Sequence, residues 1–415
     1  MNFNSQELYG LSNYKWVFSD LEIEELLLNM SSRNKIKFEK DSSIFRVKYI
    51  LALLVLPISF IRILYVYCKQ YFVVQSTIPH IKSVMLETGR GYELNNMHKV
   101  AKINDNNIII QSFLLTDFMK HKRVGIRLLL KVLFNSISDF FHILSLKIPN
   151  RIAFLVIKIG IKNISAYSYY RSFFITLKSC HNNVTVYSDA ALLQSHASIA
   201  SKIRIVRTYH GLIDKINLNT FPEFDSIYVY SSDEKRYFEN IGVTSKVYVY
   251  PAIKNKLHNK NVILFMADDA SRVDSKELSD LIYQFKLHGY SIFMKMHPLH
   301  NVSREFKSEY GLEDIEWNNI FDTSELEILS GEDATFVLIE KQPSFVVGWQ
   351  STALCEALNS NVIPIMMSDS SRDTSLDVYP AERRALVWPV ECNIIKNLLL
   401  NYSSYEDTIY MLKTR

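Results

Sequence analysis

VILFMADDASRVDSKELSDLIYQFKLHGYSIFMKMHP, residues 262–298, decides the class of fold. It opens on an apolar run, VILFMA (262–267). KELSDLIYQFKLHG (276–289) follows, with apolar residues at helical spacing and a stop at Gly289. A second apolar run, SIFMKMHP (291–298), closes the stretch. Strand, helix and strand in so short a span form the unit of a parallel sheet with a crossover helix. The same rhythm returns downstream in SFVVGW (344–349), STALCEALNS (351–360) and VIPIMM (362–367). Upstream it is already present. VTVYSD (184–189), IRIVRTYHG (203–211), DSIYVYS (225–231) and VYVYP (247–251) read as strands. AALLQSHASIASK (190–202) and DEKRYFENIG (233–242) read as the helices between them. The polar stretch AIKNKLHNKN (252–261) separates the two series and is the natural linker. The expectation is an α/β protein with two Rossmann-like domains, residues 1–251 and 252–415, facing each other across a cleft.

The bulk composition agrees with a folded enzyme-sized chain. Its 415 residues suit two domains of ordinary size, and 48% hydrophobic with 22% charged residues excludes a disordered chain. A net charge of +4 gives no case for nucleic acid as a partner. Four scattered cysteines, Cys68, Cys180, Cys355 and Cys392, form no CxxC pair, which argues against a disulfide framework or structural zinc. Met1–Leu11 is polar and lacks a signal-peptide core. A cytoplasmic location follows as an expectation. YILALLVLPISFI (49–61) is shorter than the ~20 apolar residues of a spanning helix. Lys48 and Arg62 flank it and Pro57 interrupts it, so the 49–67 region reads as a buried or surface-lying helix. Residues 120–162 mix apolar runs with Lys120, Lys122, Arg123, Arg127, Lys131, Lys147, Arg151 and Lys158. That pattern suits either an anionic lipid surface or an ordinary core helix with solvated lysines.

In parallel α/β sheets, chemistry gathers beyond the carboxyl ends of the strands. Three groups of residues fall there. His210 and Gly211 end the 203–211 run; the imidazole can exchange a proton near neutral pH, and glycine brings backbone close to a ligand. Lys295, His297 and Pro298 end the 291–298 run. Period-two alternation puts Lys295 and His297 on one face, suited to a phosphate, while Pro298 fixes the loop exit. Ser351 and Thr352 open a helix directly after an apolar strand, with Ser351 as N-cap and free N–H groups behind it. Glu356 follows Thr352 by one turn and could accept from ribose hydroxyls. No GxxxxGK[ST], GxGxxG or HExxH is present, and no DxD stands at a strand end. Asp268 with Asp269 read as solvated loop acids or a helix-entry cap, and Asp369, Asp373 and Asp377, in a polar loop, do not read as a metal cluster.

The series His-Gly (210–211), Lys-x-His-Pro (295–298) and Ser-Thr-x-x-x-Glu-Ala (351–357) resembles the GT-B glycosyltransferases of bacterial surface polysaccharides. It is similar to the CMP-sialic acid-dependent sialyl- and polysialyltransferases and, more distantly, to the CDP-glycerol glycerophosphotransferases. The resemblance covers roughly residues 184–367. It implies an inverting transfer without a metal or other cofactor, consistent with the missing DxD. His297 would contact the donor phosphate and assist the departing nucleotide. Lys295, Pro298, Ser351 and Thr352 would complete the donor site, with Glu356 on the ribose. His210 would match the base of the glycerophosphotransferases. Sialyltransferases place an acidic-acidic-Gly motif in the first domain instead, and Glu87-Thr88-Gly89 is the nearest equivalent. Gly211, Asp214 and Glu87 are therefore the acceptor-side candidates. The implied partners are a nucleotide-activated sugar, a glycan or lipid-linked acceptor, and an anionic membrane. The implied place is peripheral, at the inner face of the bacterial cytoplasmic membrane, in capsule, O-antigen or lipooligosaccharide synthesis. The alternatives are a CDP-glycerol or ribitol phosphotransferase and a non-catalytic polysaccharide-assembly protein of the same fold.

Overall fold

The structure, a computed structural model, describes residues 61, 83–87, 91–104, 110–114, 134, 167, 170–171, 174–175, 177–178, 183–189, 192–209, 213, 224–251, 259–267, 272–297, 317–320, 322–329, 334–349, 351–368 and 381–415. Two compact units emerge. One comprises residues 1–209, 216–228 and 238–248; the other comprises 210–215, 229–237 and 249–415.

The first six-stranded sheet contains β1 (Ser83–Glu87), β2 (Ile110–Leu114), β3 (Thr185–Ser188), β4 (Arg204–Thr208), β5 (Ser226–Val229) and β6 (Lys246–Val249). Helix α1 (Gly91–Asn104) follows β1, α2 (Leu192–Ala200) follows β3, and α3 (Ser232–Asn240) follows β5. Strand order is β2-β1-β3-β4-β5-β6. The β1–β2, β1–β3, β3–β4 and β4–β5 pairings are parallel. All four residues of β5 are buried, as expected of a strand covered on both faces.

The second sheet contains β7 (Asn261–Phe265), β8 (Ser291–Lys295), β9 (Glu327–Leu329), β10 (Phe345–Gly348), β11 (Ile363–Met367) and β12 (Leu386–Trp388). Its helices are α4 (Ser275–Leu287), α5 (Ala334–Lys341), α6 (Thr352–Asn359), α7 (Cys392–Leu400) and α8 (Tyr405–Thr414). The order β12-β11-β10-β7-β8-β9, numbered from β7 and read from the β9 edge, is 3-2-1-4-5-6. This is the doubly wound order of dinucleotide-binding folds. The mixed α/β class with two parallel sheets is thus as the sequence rhythm implies.

Alternation along these strands divides the core into two layers. On one face Val262, Leu264, Met294, Phe345, Val347 and Ile365 pack with α4, α7 and α8. On the other, Ile263, Phe265, Val346 and Met366 pack with Val337 and Leu338 of α5 and Leu354 and Ala357 of α6. Helix α4 buries Leu278, Leu281, Ile282 and Phe285, one stripe at helical spacing. Gly289 ends it at φ +74°, a conformation that disfavours a side chain. There Gly289 N–H donates to Lys286 O and Tyr290 N–H to Phe285 O, which satisfies carbonyls the helix would otherwise orphan. Asp274 starts the helix by accepting from the N–H groups of Lys276 and Glu277 at 2.9 and 3.0 Å. Replacing Asp274 with Ala is expected to lower stability by about 1 kcal/mol, read as a shift in the urea unfolding midpoint.

Among the described residues, no helix is long and apolar enough to cross a membrane. The stretches 49–67 and 120–162 lie outside the described residues except for Ile61 and Phe134.

Candidate functional site

The reversal in the second sheet falls between β7 and β10, the place where a doubly wound sheet opens a crevice. The registers Gly348↔Phe265 and Phe265↔Lys295 align the carboxyl ends of β10, β7 and β8. Two strand spacings put the backbones of Gly348 and Lys295 roughly 10 Å apart. The Ser351–Thr352 turn and the 295–297 exit therefore leave the same edge of one sheet, with β7 between them.

Local packing fixes how α6 starts. A Cβ on Gly348 would lie 3.3 Å from Phe265 O and 3.5 Å from Leu354 Cδ2, so glycine lets the first turn of α6 rest against the end of the strand. Ser351 is extended, at φ −151° and ψ 160°, in the N-cap position. The sequence assigns its side chain to capping, but the structure differs: the hydroxyl makes no capping bond. Ser351 Oγ is buried and has no hydrogen-bond partner. Leu354 N–H donates to Ser351 O at 3.3 Å, and the rest of this uncapped helix start, with the Ser351 hydroxyl, suits an anion. The first turn of α6 contains no acidic residue to compete for that place.

Glu356 is partly exposed, and its Oε2 accepts from the Thr335 hydroxyl of α5 at 2.9 Å. Lys295 is 3% exposed, with its ammonium folded back to donate to Met296 O at 3.1 Å. Met296 packs against the α4 layer. His297, the next residue, is partly buried just past the strand. His210, Gly211, Asp214 and Pro298 lie outside the described residues, as do the acidic residues at 268, 269, 369, 373 and 377. Glu87 closes β1 at the carboxyl edge, beside the reversal of the first sheet between β1 and β3. Among the described residues, no three His, Cys, Asp or Glu side chains gather as a metal-holding group.

The structure adds a buried cluster that the motifs do not name. Ser231 and Glu234 form a reciprocal capping box at the start of α3. Glu234 N–H donates to Ser231 Oγ at 3.2 Å, and Ser231 N–H donates to Glu234 Oε2 at 3.0 Å. Tyr230 N–H donates to the same oxygen at 3.0 Å. The other oxygen, Oε1, lies 3.7 Å from Arg384 Nη1, and both side chains are almost fully buried. Arg384 Nη1 also donates to Cys355 Sγ of α6 at 3.5 Å. Burial pushes the Glu234 carboxyl above the usual carboxylate range, against the pull of the Arg384 guanidinium. Burial likewise pushes the Cys355 thiol up to about 11, so it stays protonated and unreactive near neutral pH. Ser-x-x-Glu at 231–234 is a readable helix-start signal; its pairing with a residue so far along the chain is not.

Comparison with known proteins gives little beyond this. No family model matches the chain, and no curated protein matches it. Solved structures do align. The MnaA–UDP structure from S. aureus covers 80% of this chain and 91% of its own, at 13% identity and a TM-score of 0.40. The UDP-GlcNAc 2-epimerase of Neisseria meningitidis bound to UDP-GlcNAc covers 79% and 93%, at 12% identity and a TM-score of 0.43. UGT2 of Phytolacca americana complexed with UDP-2fluoro-glucose and pterostilbene covers 82% and 94%, at 10% identity and a TM-score of 0.41. Likeness at these scores carries no weight for the activity of this chain. The site rests on the strand order, register and side chains of the chain itself.

Proposed function

We propose that the chain is an inverting, metal-independent glycosyltransferase that uses a cytidine-nucleotide-activated sugar, a CMP-linked nonulosonate such as sialic acid. The observation that carries this reading is the unpartnered Ser351 hydroxyl at the N-terminus of α6, beside the reversal between β7 and β10. N–H groups at a helix start, with Ser351 and Thr352 added, suit the phosphate of a nucleotide. His297, leaving the sheet edge two strands away, would donate to that phosphate as the glycosidic bond breaks. Glu356, steadied by Thr335, would take the ribose hydroxyls. Choice of cytidine follows the resemblance that the series at 210–211, 295–298 and 351–357 bears to transferases using CMP- and CDP-linked donors. A base on the acceptor side, His210 or a first-unit carboxylate such as Glu87, would remove the proton of the accepting hydroxyl. The acceptor would be a glycan or lipid-linked glycan at the inner face of the cytoplasmic membrane, with the basic 120–162 stretch on the lipid surface.

A thermal-shift panel of nucleotides tests the donor class. A ligand at a hundred times its Kd stabilises the folded state by about 2.7 kcal/mol. CMP and CMP-sialic acid are expected to raise the Tm, with UDP and GDP inert. A shift from CDP-glycerol alone would transfer the assignment to glycerol-phosphate transfer. No shift from any cytidine nucleotide would remove the donor assignment altogether.

A further inference from the structure

Helix α6, which the proposed function makes the phosphate-binding element, is gripped from behind by groups with no place in that chemistry. Cys355 follows Ser351 by four residues and Thr352 by three, so it lies under them on the same side of the helix. Arg384, from the short 3₁₀ turn Ala381–Arg384, meets the Cys355 sulfur there. The guanidinium is set in turn by Glu234, whose carboxylate is fixed by three donors from Tyr230 and Ser231. The far end of α6 is tied to the same segment, because the Asn359 side-chain amide donates to Tyr230 O. The segment 229–237 and Arg384 thus hold α6 at two points about one turn apart.

Stability alone is a weak reason for such an arrangement. Two charges taken out of water regain little net free energy over well-packed apolar residues of the same volume. Apolar packing is available at this place, since Leu354 and Ala357 of the same helix lie in the core layer beneath α5 and α6. What an ion pair with directional hydrogen bonds adds is a defined angle and register. We infer that Arg384 is a positioning residue of the donor site: clamped by Glu234, it fixes the first turn of α6 through Cys355 and so aims the Ser351–Thr352 end. The inference rests on the proposed function for its consequence in nucleotide binding, and on the cluster alone for its consequence in helix order.

Both consequences are read in the double variant Glu234→Gln with Arg384→Met. It removes both buried charges together and so strands neither. Hydrogen exchange of the α6 amides is expected to quicken about tenfold, with the α4 amides unchanged and CMP affinity reduced about tenfold. Cys355→Ser keeps an acceptor for the guanidinium and is expected to match the unmodified protein in both measurements. Unchanged exchange in α6, or an equal rise in α4, would overturn the inference, because the pair would then do nothing for the helix or only stabilise the whole unit. Faster exchange with unaltered CMP affinity would cut the link to the donor site and overturn it as well. If the unmodified protein does not bind CMP, the proposed function fails, and the exchange data still decide whether Arg384 orders α6.

Discussion

His297→Ala is expected to lower kcat by at least ~100-fold, with KM for the donor changed by less than ~3-fold. The split follows from where the imidazole stands. Ground-state binding is assigned to the helix N-terminus and to Ser351 and Thr352, none of which the substitution touches. The imidazole matters as negative charge grows on the departing phosphate, so its loss falls on the transition state. Its neighbours already have fixed roles: Lys295 is buried and bonded back to the chain, and Met296 is anchored in the core layer. His297 is the next side chain of this strand exit, partly buried just past the strand. The measurement is CMP release from CMP-sialic acid in the presence of acceptor, with folding checked by circular dichroism. Activity within ~3-fold of the unmodified protein would refute a chemical role for His297, whereas no CMP release from the unmodified protein itself would favour a non-catalytic assembly protein.

Phe345→Ala is expected to be the most damaging single substitution in the second unit, at about 3–5 kcal/mol. Phe345 is fully buried in the central strand β10. Its ring lies 5.6 Å from those of Phe285 and Tyr290 and 5.9 Å from that of Tyr405. These come from α4, the loop after it and the first residue of α8, so the ring joins the sheet to two helices. Truncation would leave a cavity that three aromatic neighbours, each held by its own contacts, cannot close. A fall in Tm of about 10 °C in a thermal scan is the expected reading. A fall under about 3 °C would show that the cluster repacks and that Phe345 is not its centre.

Much of the second unit was legible from residue types. The runs at 291–298, 344–349 and 362–367 each contain a strand, that at 262–267 holds all of β7 but its first residue, Asn261, and Gly289 ends α4 as its position suggests. Period-two alternation in the 291–298 run is visible in Met294 and Met296, which both pack on the α4 layer of the core. Other parts resist such a reading for physical reasons. Strands β9 and β12 have three residues each, too few for a period of two to be recognised. β1 sits between β2 and β3 although the chain runs from residue 114 to 185 between those two, a pairing that no local pattern encodes. The Ser-Thr pair was readable as a helix start, but residue type alone does not say that the Ser351 hydroxyl makes no capping bond. Arg384 looks like any surface arginine in the sequence; only the fold shows that it is interior.

Residues 229–237 belong by packing to the second unit, although the chain on either side of them builds the first sheet. A truncation at the polar 252–261 stretch, the obvious place to dissect the gene product, would discard Glu234 and Tyr230 together. Such a fragment would inherit Arg384 with its counter-ion amputated and α6 without its second tether. The two halves are interlaced in covalent order, so neither can be excised as an autonomous module at a single cut.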